Sequence, residues 1–194
     1  MDEPRGFLRR YVFSTDHKVI GIQYIVTGLV MGLFGACLAV LIRLQLGWPE
    51  VPKTLLGAWL PNGMPGGIMT PEFYLAVVTM HGTIMVFFFI SYVLVSGFGN
   101  YLVPLQIGAR DMAFPFLNML SYWIALLSAV VMLLSFLVEG GAAAAGWTAY
   151  PPLSAVASAV PGSAVGQSVW LLSMALFIAS FTMSGLNIVA TIFS

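Results

Sequence analysis

TMHGTIMVFFFI, residues Thr79–Ile90, sets one imidazole inside an apolar run that carries no charge from Phe73 to Gly99. If a helix begins near Glu72, nine residues at ~1.5 Å rise place His81 ~13 Å along a helix that crosses a ~30 Å hydrocarbon core. Ionisable groups at that depth are costly and mark function by default. The competing reading is a neutral histidine hydrogen-bonded to a neighbouring helix.

The rest of the chain agrees with a bilayer as its solvent. Of 194 residues, 60% are hydrophobic and only 7% charged, too few charges to coat a soluble domain. Charges are also absent from Val19 to Ile42, from Met112 to Val138 and from Gly140 onward, so four stretches are long enough to span. The expected fold is all-α and polytopic, a single membrane domain over residues 1–194 with spans near 19–43, 73–99, 116–138 and 167–193. Arg5, Arg9, Arg10, Lys18 and Arg110 fall on one side of these spans, Arg43 and Lys53 on the other, which puts the N-terminus in the cytoplasm. Arg9 and Arg10 are topology anchors of an uncleaved first span rather than an export signal, since no small-residue cleavage site follows them. Zero formal net charge and the lack of a basic tract give no case for a nucleic-acid partner. Cys37 is the only cysteine, which excludes an internal disulfide and a thiolate metal cluster.

The connection from Leu44 to Pro71 is rich in Pro and Gly and predicts an irregular loop without a long helix. The turn GNYLVPLQIGARDMAFP is apolar, is expected to break at Pro104 and Pro115, and packs back at the cytoplasmic interface, with Pro115 starting the third helix. The third connection, from Gly140 to about Gly166, has no charge and is expected to lie against protein or at the aromatic membrane interface through Trp147 and Tyr150. The apolar last helix runs to Ser194 with no polar tail, which suggests a piece of a longer polytopic protein.

Five blocks together resemble subunit I of the haem-copper respiratory oxidases, the cytochrome c oxidase type in particular: FSTDHKVIGIQY (Phe13–Tyr24), LIRLQLG (Leu41–Gly47), HGTIMVFF (His81–Phe88), GFGNYLVPLQIGARDMAFP (Gly97–Pro115) and GWTAYPPL (Gly146–Leu153). They stand in the family's order and at the expected places relative to the spans. The resemblance implies the first third of a twelve-helix subunit in a bacterial-type cytoplasmic (inner) membrane. It implies a low-spin haem, of the A type, with His81 as an axial iron ligand. The second haem, the copper and their protein ligands would lie outside this chain, which then cannot reduce oxygen alone. Implied partners are a copper-bearing subunit II, subunit III, cytochrome c as electron donor and the lipid bilayer.

By the same resemblance Arg43 hydrogen-bonds the haem formyl group, and Trp147, in the loop over the haem propionates, contacts haem. Gly82 gives the macrocycle room to approach. Asp111 matches the mouth of a proton channel, with Asn100, Asn118, Asn187 and Tyr24 along it. Asparagine amides both donate and accept to water without carrying charge, which suits a water file in low dielectric. Three departures predict a narrowed or redirected file: Phe116 and Met119 replace an arginine and an asparagine, and Phe181 follows Ser180 where the family pairs serines. Gln45 stands where the family's external cation site has a glutamate, so that metal site is not carried over. His17 precedes the first span and is expected at the cytoplasmic interface, not as a ligand. Two alternatives remain: a quinol-dependent oxidase of the same fold, and a cofactor-free proton-coupled transporter subunit in which His81 and Asp111 relay protons.

Overall fold

A computed structural model describes residues 6–156 and 164–194. Arg5, one of the basic residues counted for orientation, and residues 157–163 of the third connection lie outside the described residues. The described chain is helical with connecting turns and has no strand. After a short π-helical turn, Leu8–Val12, come α1 (His17–Gly47), α2 (Thr54–Trp59), α3 (Pro71–Ile107), α4 (Pro115–Leu134) and α5 (Ala164–Phe193). The helices α1, α3, α4 and α5 are long and apolar enough to cross a membrane. The third span thus stops at Leu134, short of the expected 138, and turns follow.

Local chemistry sets the start and stop of α3. The Thr70 side chain accepts from the Phe73 N–H at 3.2 Å, Pro71 occupies the first turn beside Glu72, and Gly108 ends the helix in the left-handed region at φ 74°. Between Ile84 and Phe98 the helix is π-wound. Ile84, Phe88, Tyr92 and Ser96 in this stretch, and Asn100 just beyond it, are buried at four-residue steps.

The expected break at Pro104 is not found, because the helix runs through it to Ile107. Proline has no N–H to give to the carbonyl four residues back, that of Asn100. His17 fills the gap, with Nδ1 2.9 Å from the Asn100 carbonyl oxygen and the ring only 2% exposed. A carbonyl only accepts, so Nδ1 carries the proton. His17 therefore begins α1 as a buried helix-to-helix donor. His17→Ala is expected to destabilise the protein by about 1–3 kcal/mol, the cost of a buried carbonyl left without a donor, read as a lower midpoint in detergent unfolding. An unchanged midpoint would show that Pro104 needs no such compensation.

The chain divides into two compact units. The first comprises residues 1–30, 87–129 and 173–194. In it α1 meets α3 at two glycines: a Cβ on Gly21 would stand 2.9 Å from the Gly97 carbonyl oxygen, and one on Gly28 would stand 2.7 Å from Val93. Its centre is aromatic, built from Tyr24, Phe88, Tyr92 and Phe177. On the α4–α5 seam Ser128 and Ser173 each donate a hydroxyl to the other's carbonyl, at 2.8 and 2.7 Å.

The second unit comprises residues 31–86 and 130–172. Here Gly35 continues the seven-residue spacing of small residues, with Met85 against it. Trp170 Nε1 donates to Thr83 Oγ1 at 3.0 Å, and the Gly146 N–H donates to Thr79 Oγ1 at 2.9 Å. Ala142, Ala143, Ala144 and Ala145 are all buried, so this part of the uncharged third connection lies against protein, while Trp147 and Tyr150 stay exposed.

Candidate functional site

His81 lies in the last turn of the α-wound part of α3, just before the π stretch. The ring is half-buried, and Nδ1 sits 2.9 Å from the Gly35 carbonyl oxygen. As at His17, the acceptor fixes the tautomer: Nδ1 bears the hydrogen, and Nε2 keeps its lone pair. A histidine held by a backbone carbonyl on one nitrogen and presenting the other is how metal-ligating imidazoles are oriented. The absence of a side chain at Gly35 lets α1 come close enough for this bond, since a Cβ there would stand 2.7 Å from Met85 Sδ.

The neighbouring residues fit a haem in part. The room beside Gly82 is taken by the Trp147 indole, whose Cδ1 would stand 3.2 Å from an added Cβ. Gly82 thus seats Trp147, which is 47% exposed. Arg43 is exposed near the end of α1, eight residues and ~12 Å along the axis from Gly35. One oriented imidazole, one guanidinium and one indole are the donor and packing groups that this unit offers to a haem.

The predicted proton-route residues all fall in the first unit. Asp111 is half-buried in the turn before α4, and its Oδ1 accepts from the Met112 N–H at 2.8 Å. Asn187 is a clamp on the same turn. Its Oδ1 accepts from the Phe114 N–H at 2.9 Å, and its Nδ2 donates to the Phe114 carbonyl at 3.1 Å, while Thr191 Oγ1 accepts from the Ala113 N–H. Its amide is therefore spent mainly on backbone.

Asn100 and Asn118 differ from Asn187. Both are fully buried; Asn100 Nδ2 donates to the Ser96 carbonyl, but its Oδ1 has no partner, and neither amide atom of Asn118 has one. Leaving buried polar atoms dry costs about 1–3 kcal/mol each, which makes these amides the groups of this unit suited to holding water. Above them the Tyr24 hydroxyl lies 3.1 Å from Ser121 Oγ and 3.4 Å from Ser180 Oγ. Ser121 donates on to the Asn118 carbonyl at 2.7 Å. Ser121 was not singled out from sequence, although its three-residue spacing from Asn118 on one helix face could have found it. The expected departures are placed as follows: Phe116 is largely exposed, and Phe181 stacks on Phe177 with ring centroids 5.4 Å apart.

Comparison with known proteins converges on one family. The family model for "Cytochrome C and Quinol oxidase polypeptide I" matches residues 19–194. The "Alternative cytochrome c oxidase subunit 1" of Bradyrhizobium diazoefficiens is 47% identical over 97% of this chain. The "Cytochrome c oxidase subunit 1" of Thermostichus vulcanus is 41% identical over 94%, and the "Heme-copper oxidase subunit I+III" of Aeropyrum pernix is 43% identical over 97%. The chain spans 29% of the length of the first two relatives and 21% of the third. With four membrane-length helices and a match over most of its length, the chain is an integral membrane protein and belongs to the cytochrome c and quinol oxidase polypeptide I family.

Proposed function

We propose that the chain is the N-terminal part of subunit I of a haem-copper terminal oxidase in a bacterial inner membrane, with its N-terminus in the cytoplasm. The complete protein would carry electrons from cytochrome c to oxygen and couple this to proton translocation. What supports the reading most is the tautomer of His81, whose Nδ1–H is committed to the Gly35 carbonyl so that Nε2 faces outward as a neutral nitrogen ligand. A low-spin haem held there would supply one-electron transfer, with no iron position left for oxygen. Arg43 would steady its formyl edge and Trp147 its propionate side. The second haem and the copper would draw their ligands from residues outside this chain, in a complex with subunits II and III.

Asp111 would take protons from the cytoplasm and pass them to water held by Asn118 and Asn100, then to the Tyr24–Ser121–Ser180 hydroxyls. The family's own description covers quinol oxidases as well, so a quinol donor is the second reading. The two separate in one assay: the purified complete oxidase should oxidise reduced cytochrome c with uptake of oxygen and show a low-spin haem band. Turnover with quinol alone would favour the second reading, and a colourless preparation would refute both.

A further inference from the structure

Where α1 begins, the first unit leaves a groove of about 360 Å³, lined by Tyr11 of the N-terminal turn, by Val19, Ile22, Gln23 and Val26 of α1, and by Tyr122 of α4. Val19, Ile22 and Val26 stand at three- and four-residue steps and so share one helix face, and Ile22 and Val26 are about half exposed. Gln23 Nε2 donates to the Tyr11 and Val12 carbonyl oxygens at 2.7 and 3.2 Å, which holds the turn against α1 and spends the amide N–H on backbone. Tyr122 is buried, with its hydroxyl 3.2 Å from Thr27 Oγ1.

The outer end of the groove carries positive charge. The exposed Arg10 guanidinium lies over the Tyr11 ring, 5.3 Å from its centroid. Lys18, also exposed, stands four residues before Ile22 on the same face of α1. The carboxylate beside them, Asp16, takes the Lys18 N–H on Oδ1 at 2.8 Å, and none of the six lining residues is acidic. Lys18 is also the last charge before the apolar run Val19–Ile42, so the cations stand where the chain enters the membrane and Val26 lies ~10 Å deeper than Val19. Phe7, Leu8 and Phe13, exposed around the turn, suit it to the same interface.

We propose that this groove is a binding site for an anionic diacyl phospholipid, with one acyl chain along Val19, Ile22 and Val26 and the phosphate against Arg10 and Lys18. The groove has the polarity order of such a lipid, two cations at the surface and hydrocarbon walls running inward. A zwitterionic lipid fits the same walls but brings a cation of its own to Arg10 and Lys18, and one basic side chain at a membrane surface is worth roughly fivefold in binding. The site rests on the chain crossing a membrane and is independent of the haem and the proton route.

The test uses the complete protein in phosphatidylcholine vesicles carrying a small share of phosphatidylglycerol with a photoactivatable diazirine in one acyl chain. A phosphatidylcholine probe with the same tail is used in parallel, and labelled residues are located by mass spectrometry after digestion. The phosphatidylglycerol probe is expected to mark Val19–Val26 and Tyr122 roughly fivefold or more strongly than the phosphatidylcholine probe. Arg10→Gln should cut that preference roughly fivefold, and Arg10→Lys should keep it. Val26→Trp fills the groove and should remove the label of both probes from this segment while other membrane-facing positions stay labelled. Equal marking by the two probes in the parent would mean bulk lipid only, and a parent with no label on this segment would mean that protein covers the groove; either result overturns the proposal, as does a preference unchanged in R10Q. Should V26W not assemble, R10Q and R10K decide, since Arg10 is exposed and lies outside α1.

Discussion

Replacing His81 by alanine in the complete oxidase is expected to remove the low-spin haem band from the reduced-minus-oxidised spectrum and to lower oxygen uptake by roughly 100-fold or more. The expectation follows from what the imidazole does at both of its nitrogens. Nδ1 is held 2.9 Å from the Gly35 carbonyl, and Nε2 is the only nitrogen left to meet iron. Alanine removes both, so loss of the band could reflect either a missing ligand or a loosened contact between α1 and α3. His81→Gln separates them, because its amide N–H can still donate toward Gly35 while the side chain ligates iron poorly. A Gln variant that folds, by detergent unfolding midpoint, but lacks the band assigns the loss to ligation. A band and an oxygen rate that survive in both variants would remove His81 from the haem site altogether.

How much of this was legible in the sequence depends on the kind of signal. His81 stood out because one ionisable group in a charge-free run has no local explanation, and the charge-free runs marked the four helices because the cost of burying charge acts on every residue of a span. The π winding of Ile84–Phe98 was not legible, since period-four burial shows only when exposure is known. Pro104 was misread as a break because its missing N–H is compensated by His17, 87 residues earlier in the chain, through the Asn100 carbonyl. No local rule couples positions so far apart. The asparagines were readable as candidates but not as roles: Asn187 spends its amide on the Phe114 backbone, while Asn118 keeps both amide atoms unpartnered. That difference comes from tertiary placement, which also brought Ser121 and Ser180 to Tyr24.

Asp111→Asn is expected to slow proton uptake by the complete oxidase by roughly 10- to 100-fold while leaving the His81 haem band in place. The substitution is close to isosteric, and the hydrogen bond that the carboxylate makes among the described residues, from the Met112 N–H to Oδ1, can be kept by an amide oxygen. The turn is also held independently of Asp111, by Asn187 on Phe114 and by Thr191 on Ala113. What the amide cannot do is bind and release a proton, so a fall in uptake reports the carboxylate's proton and not its packing. Proton release and uptake after an oxygen pulse in weakly buffered vesicles measure this directly. The same variant should leave electron transfer into the haem unaltered in the first turnover, because the substitution keeps the Asp111–Met112 hydrogen bond and leaves the His81–Gly35 bond untouched. Parent-like uptake in D111N would mean that the unpartnered amides of Asn118 and Asn100 bind water without conducting protons, and the turn before α4 would then be structural only.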